Sequence, residues 1–180
     1  MYHYHQPRPY PWATRLAAAF VIVAICVFAF FFRAGAHSAP LAAASISRSA
    51  EIDAPPAEVW ALIGPFCAIE TWHPAIASCT EEGNPPTRTL TAKDGKTVFV
   101  EPETGRSDEQ RYYAYVFKSS PFPVRDYMGA IRVLPLGAKR SIVVWNGTYI
   151  PERGRAIEAE GDFAQIYEAG LDALKARFTK

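Results

Sequence analysis

Between residues 87 and 150 apolar side chains recur with a period of two, and from 156 to 180 the period lengthens to that of a helix. That switch constrains the fold more than any other feature, because the two periods cannot share one element. The alternating part divides into runs at 87–92, 97–103, 110–118, 127–134 and 140–150, and an earlier run at 46–53 carries Ile46, Ala50 and Ile52 on one face. Phe163, Ile166, Tyr167, Gly170, Leu171, Leu174 and Phe178 then fall on a single stripe of a long terminal helix. Its last turn holds Lys175, Arg177 and Lys180, which suits the negative end of a helix dipole. Strands in this number bury one face only if the sheet curls around the helix. The expected class is therefore α+β: a curved antiparallel sheet of about six to seven strands wrapped around a long C-terminal helix.

Shorter signals fill the gap between the first strand and the alternating region. Asp53-Ala54-Pro55-Pro56 opens a helix, because proline is tolerated in a first turn. Val59, Leu62 and Ile63 form its stripe, and Gly64-Pro65 stops it. A second short helix covers 67–71 and ends at Trp72-His73-Pro74. Asp94-Gly95 predicts a hairpin, since both residues accept the positive φ of a type I′ turn. Tyr112, Ala114 and Val116 alternate with Tyr113, Tyr115 and Phe117, so this strand is apolar on both faces and needs cover on each.

The N-terminus is of a different character. Residues 16–32 are 17 uncharged, apolar positions between Arg15 and Arg33, spanning about 25 Å as a hydrophobic helix. That length fits either a short transmembrane anchor or a long signal segment. Ala34-Gly35-Ala36 and Ala42-Ala43-Ala44 offer signal-peptidase spacing, while Tyr10 and Trp12 suit a membrane interface and favour an anchor. Ile25 ahead of Cys26 does not fit a lipoprotein signal. Arg8 and Arg15 keep residues 1–15 as a cytoplasmic tail. Residues 33–45 then read as a linker, and 46–180 as one domain outside the cytoplasmic membrane, either single-pass or periplasmic and secreted after cleavage. With a net charge of +1 and no basic stripe, a nucleic-acid partner is not expected.

Several strings resemble the polyketide cyclase/dehydrase and lipid-transport group of the START-like (SRPBCC, helix-grip) superfamily. They are Ile52-Asp53-Ala54-Pro55-Pro56-Ala57-Glu58-Val59-Trp60, Trp72-His73-Pro74, Pro121-Phe122-Pro123-Val124 ahead of Tyr127, Val144-Trp145-Asn146-Gly147 and Ile166-Tyr167-Glu168-Ala169-Gly170-Leu171. The resemblance covers roughly 46–178 and implies an internal apolar cavity for a lipid, sterol, polyketide or aromatic molecule. It implies no single chemistry, since some relatives catalyse, many carry and some sense. The N-terminal apolar segment departs from many soluble relatives.

Candidate residues follow from these strings and from residue type. Aromatic walls with a few polar tips make apolar ligand pockets; Tyr113, Tyr115, Phe117, Phe122, Tyr127, Trp145 and Tyr149 concentrate in the later strands. Trp72, Tyr115, Phe122, Tyr127 and Trp145 are expected to line or gate the cavity, with core filling the competing role of each ring. Arg48 and His73 are placed to orient a polar ligand head; Arg48 otherwise marks a strand edge. His73 is the weak catalytic candidate, but no partner stands at a telling spacing, and a structural role with a ring nitrogen on backbone is preferred. One histidine and scattered acids lack a metal's ligand count, and no cofactor is implied. Glu101, Glu103, Asp108 and Glu109 read as a solvated hairpin cluster. Cys67 and Cys79 either pair as a disulfide, tying the short helix to the following strand, or stay as buried thiols. Three functions stand: non-catalytic carriage or sensing of a hydrophobic molecule, a cyclase or dehydratase using His73 or an acid as base, and a ligandless interaction module whose interior holds no space beyond a few waters.

Overall fold

The computed structural model describes residues 41–179. The tail, the apolar segment 16–32 and most of the linker lie outside the described residues, among which no helix is long and apolar enough to cross a membrane. The chain runs β1 (Ala44–Ile52), α1 (Pro56–Ile63), α2 (Ile69–Trp72), β2 (Ile76–Glu82), β3 (Thr87–Ala92), β4 (Val98–Ser107), β5 (Tyr112–Val116), β6 (Val124–Pro135), β7 (Ser141–Pro151) and α3 (Ala156–Phe178). The strands form one antiparallel sheet in the order β1-β7-β6-β5-β4-β3-β2, so both short helices lie in the single crossover that links its two edges. Register shifts at Ile76/Ser78, Glu103/Gly105 and Arg125/Met128 let the sheet bend about the helix.

Alternation places the core. Ile46, Ile52, Phe99, Tyr113, Tyr115, Tyr127, Ile131, Val133, Val143, Trp145 and Tyr149 are all buried on the concave face. From α3, Phe163, Tyr167, Gly170, Leu171 and Leu174 meet them, as the stripe predicts, while Ile166 and Phe178 are half-buried. Two face-to-face ring pairs join the layers: Trp145 on Tyr167 at 4.4 Å between centroids and Tyr127 on Phe163 at 4.8 Å. On the convex face Tyr112 is covered by the Arg132 guanidinium, 5.0 Å from its ring, from the paired position on β6.

Three local expectations need correction. The 76–82 segment is a strand that the alternation did not delimit, because as the far edge it buries only Ile76 strongly and no period can show. At the β3–β4 turn only Gly95 has positive φ, +69°. Asp94 instead accepts hydrogen bonds from the Lys96 and Thr97 amides and from Thr97 Oγ1, so its carboxylate shapes the turn and type I′ geometry is absent. Glu101 and Glu103 lie within β4, not in a solvated turn, and point inward with Phe99.

Cys67 and Cys79 are joined as a disulfide with Cα atoms 5.5 Å apart, tying the turn before α2 to β2. The Cys79 amide also donates to Glu70 Oε2 at 2.6 Å.

Two glycines of α3 separate propensity from packing. A methyl at Gly161 meets nothing within 4 Å, whereas one at Gly170 falls 2.7 Å from His73 Cδ2 and 3.0 Å from Trp145 Cζ3. Gly161→Ala is expected to stabilise by about 0.5–1 kcal/mol through helix propensity. Gly170→Ala is expected to destabilise by about 1–3 kcal/mol through overpacking. Urea unfolding of both variants checks the pair; equal signs contradict this packing.

Candidate functional site

A small space lies between the concave face and α3, walled by Leu90, Phe99, Tyr115, Phe117, Phe122, Trp145, Phe163 and Tyr167. Its volume is about 30 Å³, room for a water molecule or two. The wall is almost wholly apolar, and besides His73 its polar groups come in two sets.

The first set is a hydroxyl chain. Trp145 Nε1–H donates to Tyr115 Oη at 2.9 Å, Tyr115 Oη meets Tyr127 Oη at 3.2 Å, and Tyr127 Oη meets Tyr167 Oη at 2.6 Å. Burial pushes all three phenol pKa values up, so the hydroxyls stay protonated. Three hydroxyl protons serve two hydroxyl–hydroxyl bonds, so one O–H remains without an acceptor inside the chain. Gly129 and Gly147 lie beneath these phenols, and a methyl at Gly147 falls 2.6 Å from Tyr167 Oη, so the small residues make room for the chain.

The second set is an ion pair that residue type concealed. Arg88 is fully buried, and its Nε donates to Glu101 Oε2 at 2.7 Å while Nη1 donates to the Phe66 carbonyl at 2.7 Å. The guanidinium lies over the rings of Phe66, at 4.2 Å, and Tyr115, at 4.8 Å. Burial works against the charge of Arg88, but Glu101 and the neighbouring tyrosines more than offset it and hold its pKa above the ordinary value. Burial raises the Glu101 carboxyl and the guanidinium opposes that rise. The guanidinium and the Tyr113 hydroxyl act on each other's protonation, but Arg88 Nη2 and Tyr113 Oη are buried without a hydrogen bond of ordinary geometry. Strand parity carried the missing signal: Arg88 shares a face with Leu90, and Glu101 with Phe99.

The structure brings Tyr115, Tyr127 and Trp145 together in the hydroxyl chain and sets Phe122 over the rings of Phe99 and Phe163, at 5.2 and 5.1 Å. Trp72 stands one layer behind, edge-on to Trp145 at 5.9 Å, and does not line the space. Arg48 is at the sheet edge, its Nε 2.6 Å from Glu168 Oε1 with both groups substantially exposed, away from the space. The ion pair with α3 explains a charge on that face of β1. Tyr167, Phe163 and Phe117 complete the wall; the helix stripe had marked the first two only as core.

His73 reaches the wall with both nitrogens engaged. Nδ1 accepts from the Ala75 amide at 3.1 Å, which leaves the proton on Nε2 to be donated to the Ile166 carbonyl at 2.9 Å. Burial holds the imidazole pKa below its usual value; the Ile166 carbonyl resists, and Arg88 and Lys93 add to the lowering.

A curled seven-stranded antiparallel sheet closed by a C-terminal helix, with two short helices in its crossover, defines a START-like helix-grip domain. The family model for polyketide cyclase / dehydrase and lipid transport matches residues 43–179, and the chain belongs to that family. XoxI from Bacillus cereus is 35% identical, with 75% of this chain and 95% of that chain aligned at a TM-score of 0.72. A protein from Bacillus thuringiensis is 34% identical over 75% of this chain and 98% of its own, also at 0.72. An aromatase/cyclase, ZhuI from Streptomyces sp. R1128, shares the fold at 15% identity over 76% of this chain and 93% of its own, with a TM-score of 0.62. No curated protein matches the chain.

Two expectations follow. Glu101→Gln leaves the buried guanidinium without its counter-ion and is expected to cost about 3–5 kcal/mol, while Arg88→Met with Glu101→Met recovers most of that loss. A single variant as stable as the parent, read by urea unfolding, would sink the pairing. For His73, a folded pKa below the unfolded one means that the unfolded chain binds more protons. The His73 contribution is therefore full above about pH 6.5 and declines as the pH falls through that value toward the folded pKa. The urea midpoint is expected to fall on going from about pH 7.5 to about pH 5.5, and His73→Gln to flatten that slope.

Proposed function

We propose that the domain binds, without transforming it, a small hydrophobic molecule bearing an acceptor oxygen, on the outer side of the cytoplasmic membrane. The observation that carries this reading is an aromatic wall with one donor left over, the free hydroxyl proton of the Tyr115–Tyr127–Tyr167 chain. An apolar body with one carbonyl or hydroxyl oxygen complements it. Family membership supports a hydrophobic ligand. Carriage or sensing is preferred to catalysis because each candidate base is already committed, His73 to two backbone groups and Glu101 to Arg88. The aromatase/cyclase neighbours share fold alone at their level of identity, so their chemistry is not transferred. The outward placement rests on the apolar segment 16–32 and on Arg8 and Arg15 ahead of it.

A volume of about 30 Å³ is far below that of ordinary ligand pockets, several hundred Å³. Entry of a ligand thus requires Phe117 and Phe122, both half-buried, to swing outward. The same small volume favours the second reading, an interaction module with a filled interior.

Native mass spectrometry with solvent extraction, on the protein from its own compartment, separates the two. The binding reading expects a co-purifying apolar molecule with an oxygen function. It also expects saturable uptake of an apolar fluorescent probe, weakened about three- to tenfold by Tyr115→Phe at unchanged fold. An empty protein that takes up no probe establishes the filled module.

A further inference from the structure

We infer that the ligand is an apolar alcohol or phenol, whose hydroxyl bridges Glu101 Oε1 and the spare O–H of the Tyr115–Tyr127–Tyr167 chain. This rests on the binding reading above and narrows it, since a carbonyl oxygen serves the phenols but not the carboxylate.

Glu101 is the acid of the wall. It lies in β4 opposite Arg88 of β3, and its side chain is only 5% exposed. Arg88 Nε donates to Oε2, while Oε1 accepts no hydrogen bond from the described residues. A buried acceptor left in that state is costly. Strand pairing sets it beside the phenols. Glu103 pairs with Tyr115, so Glu101, two residues earlier on the same face of β4, stands diagonal to Tyr115. The Tyr115 ring lies 4.8 Å from the guanidinium that holds Glu101. Burial is the main cause of the raised Tyr115 and Tyr167 pKa values, and the Glu101 carboxylate adds to both. Yet the three phenols bond only to one another and to Trp145, and none comes within hydrogen-bond distance of Glu101. A spare donor and an unpaired acceptor thus border one space of about 30 Å³ without meeting across it.

A single hydroxyl joins them, because its oxygen accepts from the phenol and its proton is donated to Oε1. Other head groups fail at one end. A ketone, ester or ether only accepts, and an ammonium only donates. A carboxylate sets like charge against Glu101. The hydroxyl is held and not deprotonated, since an alcohol or phenol is a far weaker acid than the carboxyl its proton would form. Water makes the same two bonds and is the competing occupant.

Relatives that consist of little more than this domain have been solved on their own, so residues 41–180 serve for the test. Uptake of N-phenyl-1-naphthylamine, a neutral apolar fluorophore, reports on the binding reading by itself. Its displacement is then compared for 2-naphthol, 2-methoxynaphthalene and 2-naphthoate, which share one ring system. 2-Naphthol is expected to bind about tenfold more tightly than the ether, because the ether leaves Oε1 without a donor. The ether is the more apolar of the two, so hydrophobic transfer alone favours the opposite order. The naphthoate is expected to be the weakest. In Arg88→Met with Glu101→Met, its folding checked by urea unfolding, the preference for 2-naphthol over the ether is expected to vanish. That control separates the hydrogen bond from the ether's extra methyl group. Fluorophore uptake with an equal or reversed order in the parent assigns the bridge to water and overturns the alcohol, while the binding reading stands. A preference that survives in the double variant overturns it equally. No uptake of the fluorophore overturns both readings. The series on the parent is decisive by itself should the double variant fail to fold.

Discussion

The burial of α3 against the concave face is the constraint on which the rest depends. The helix presents Phe163 and Tyr167 flat against Tyr127 and Trp145, and a glycine at 170 lets His73 and Trp145 approach its backbone. Each contact joins residues far apart in the chain, so neither layer has a core until the other has formed. Much of the interior's geometry follows from that mutual requirement. The bulges that bend the sheet, and the crossover that places α2 under His73, bring side chains within reach of one helix.

Such an interior leaves little freedom for polar atoms. The phenols and the indole bond in one chain that leaves a single O–H over, and Arg88 is held by Glu101, by the Phe66 carbonyl and by ring faces. The Cys67–Cys79 link belongs to the same arrangement, because it anchors the segment whose preceding residue, Phe66, supplies both a carbonyl and a ring to the guanidinium. A buried ion pair of this kind adds little net stability over an apolar pair of equal size, but it penalises any packing that separates the partners.

The order of elements was legible because hydrophobic period reports directly on which face is buried. The stripe of α3 and the alternation from β3 to β7 each needed only residue type and spacing. β2 was not delimited since an edge strand exposed on both faces has no period to read. Arg88 and Glu101 escaped for the opposite reason: their spacing was right for burial, yet their charge suggested solvent, and only the pairing across β3 and β4 removes the conflict. Among the site residues, Tyr115, Tyr127, Trp145 and Phe122 follow from the placement of aromatic residues on strands and their loop. Trp72 stands one layer behind the space, and of the two placements open to Arg48 the structure has the strand edge, because sequence gives the face of a strand but not its position across a sheet.

The uncommitted hydroxyl proton gives the interior a property that no single tyrosine has. Rotation about the C–O bonds redirects the hydroxyl links without moving a heavy atom, so the spare proton rests on any one of the three phenols. When the links run one way the spare donor is Tyr167 on the helix, when they run the other way it is Tyr115 on the sheet, and when both end phenols donate inward it is Tyr127. The domain thus carries a polarity between its two layers that can be redirected without repacking.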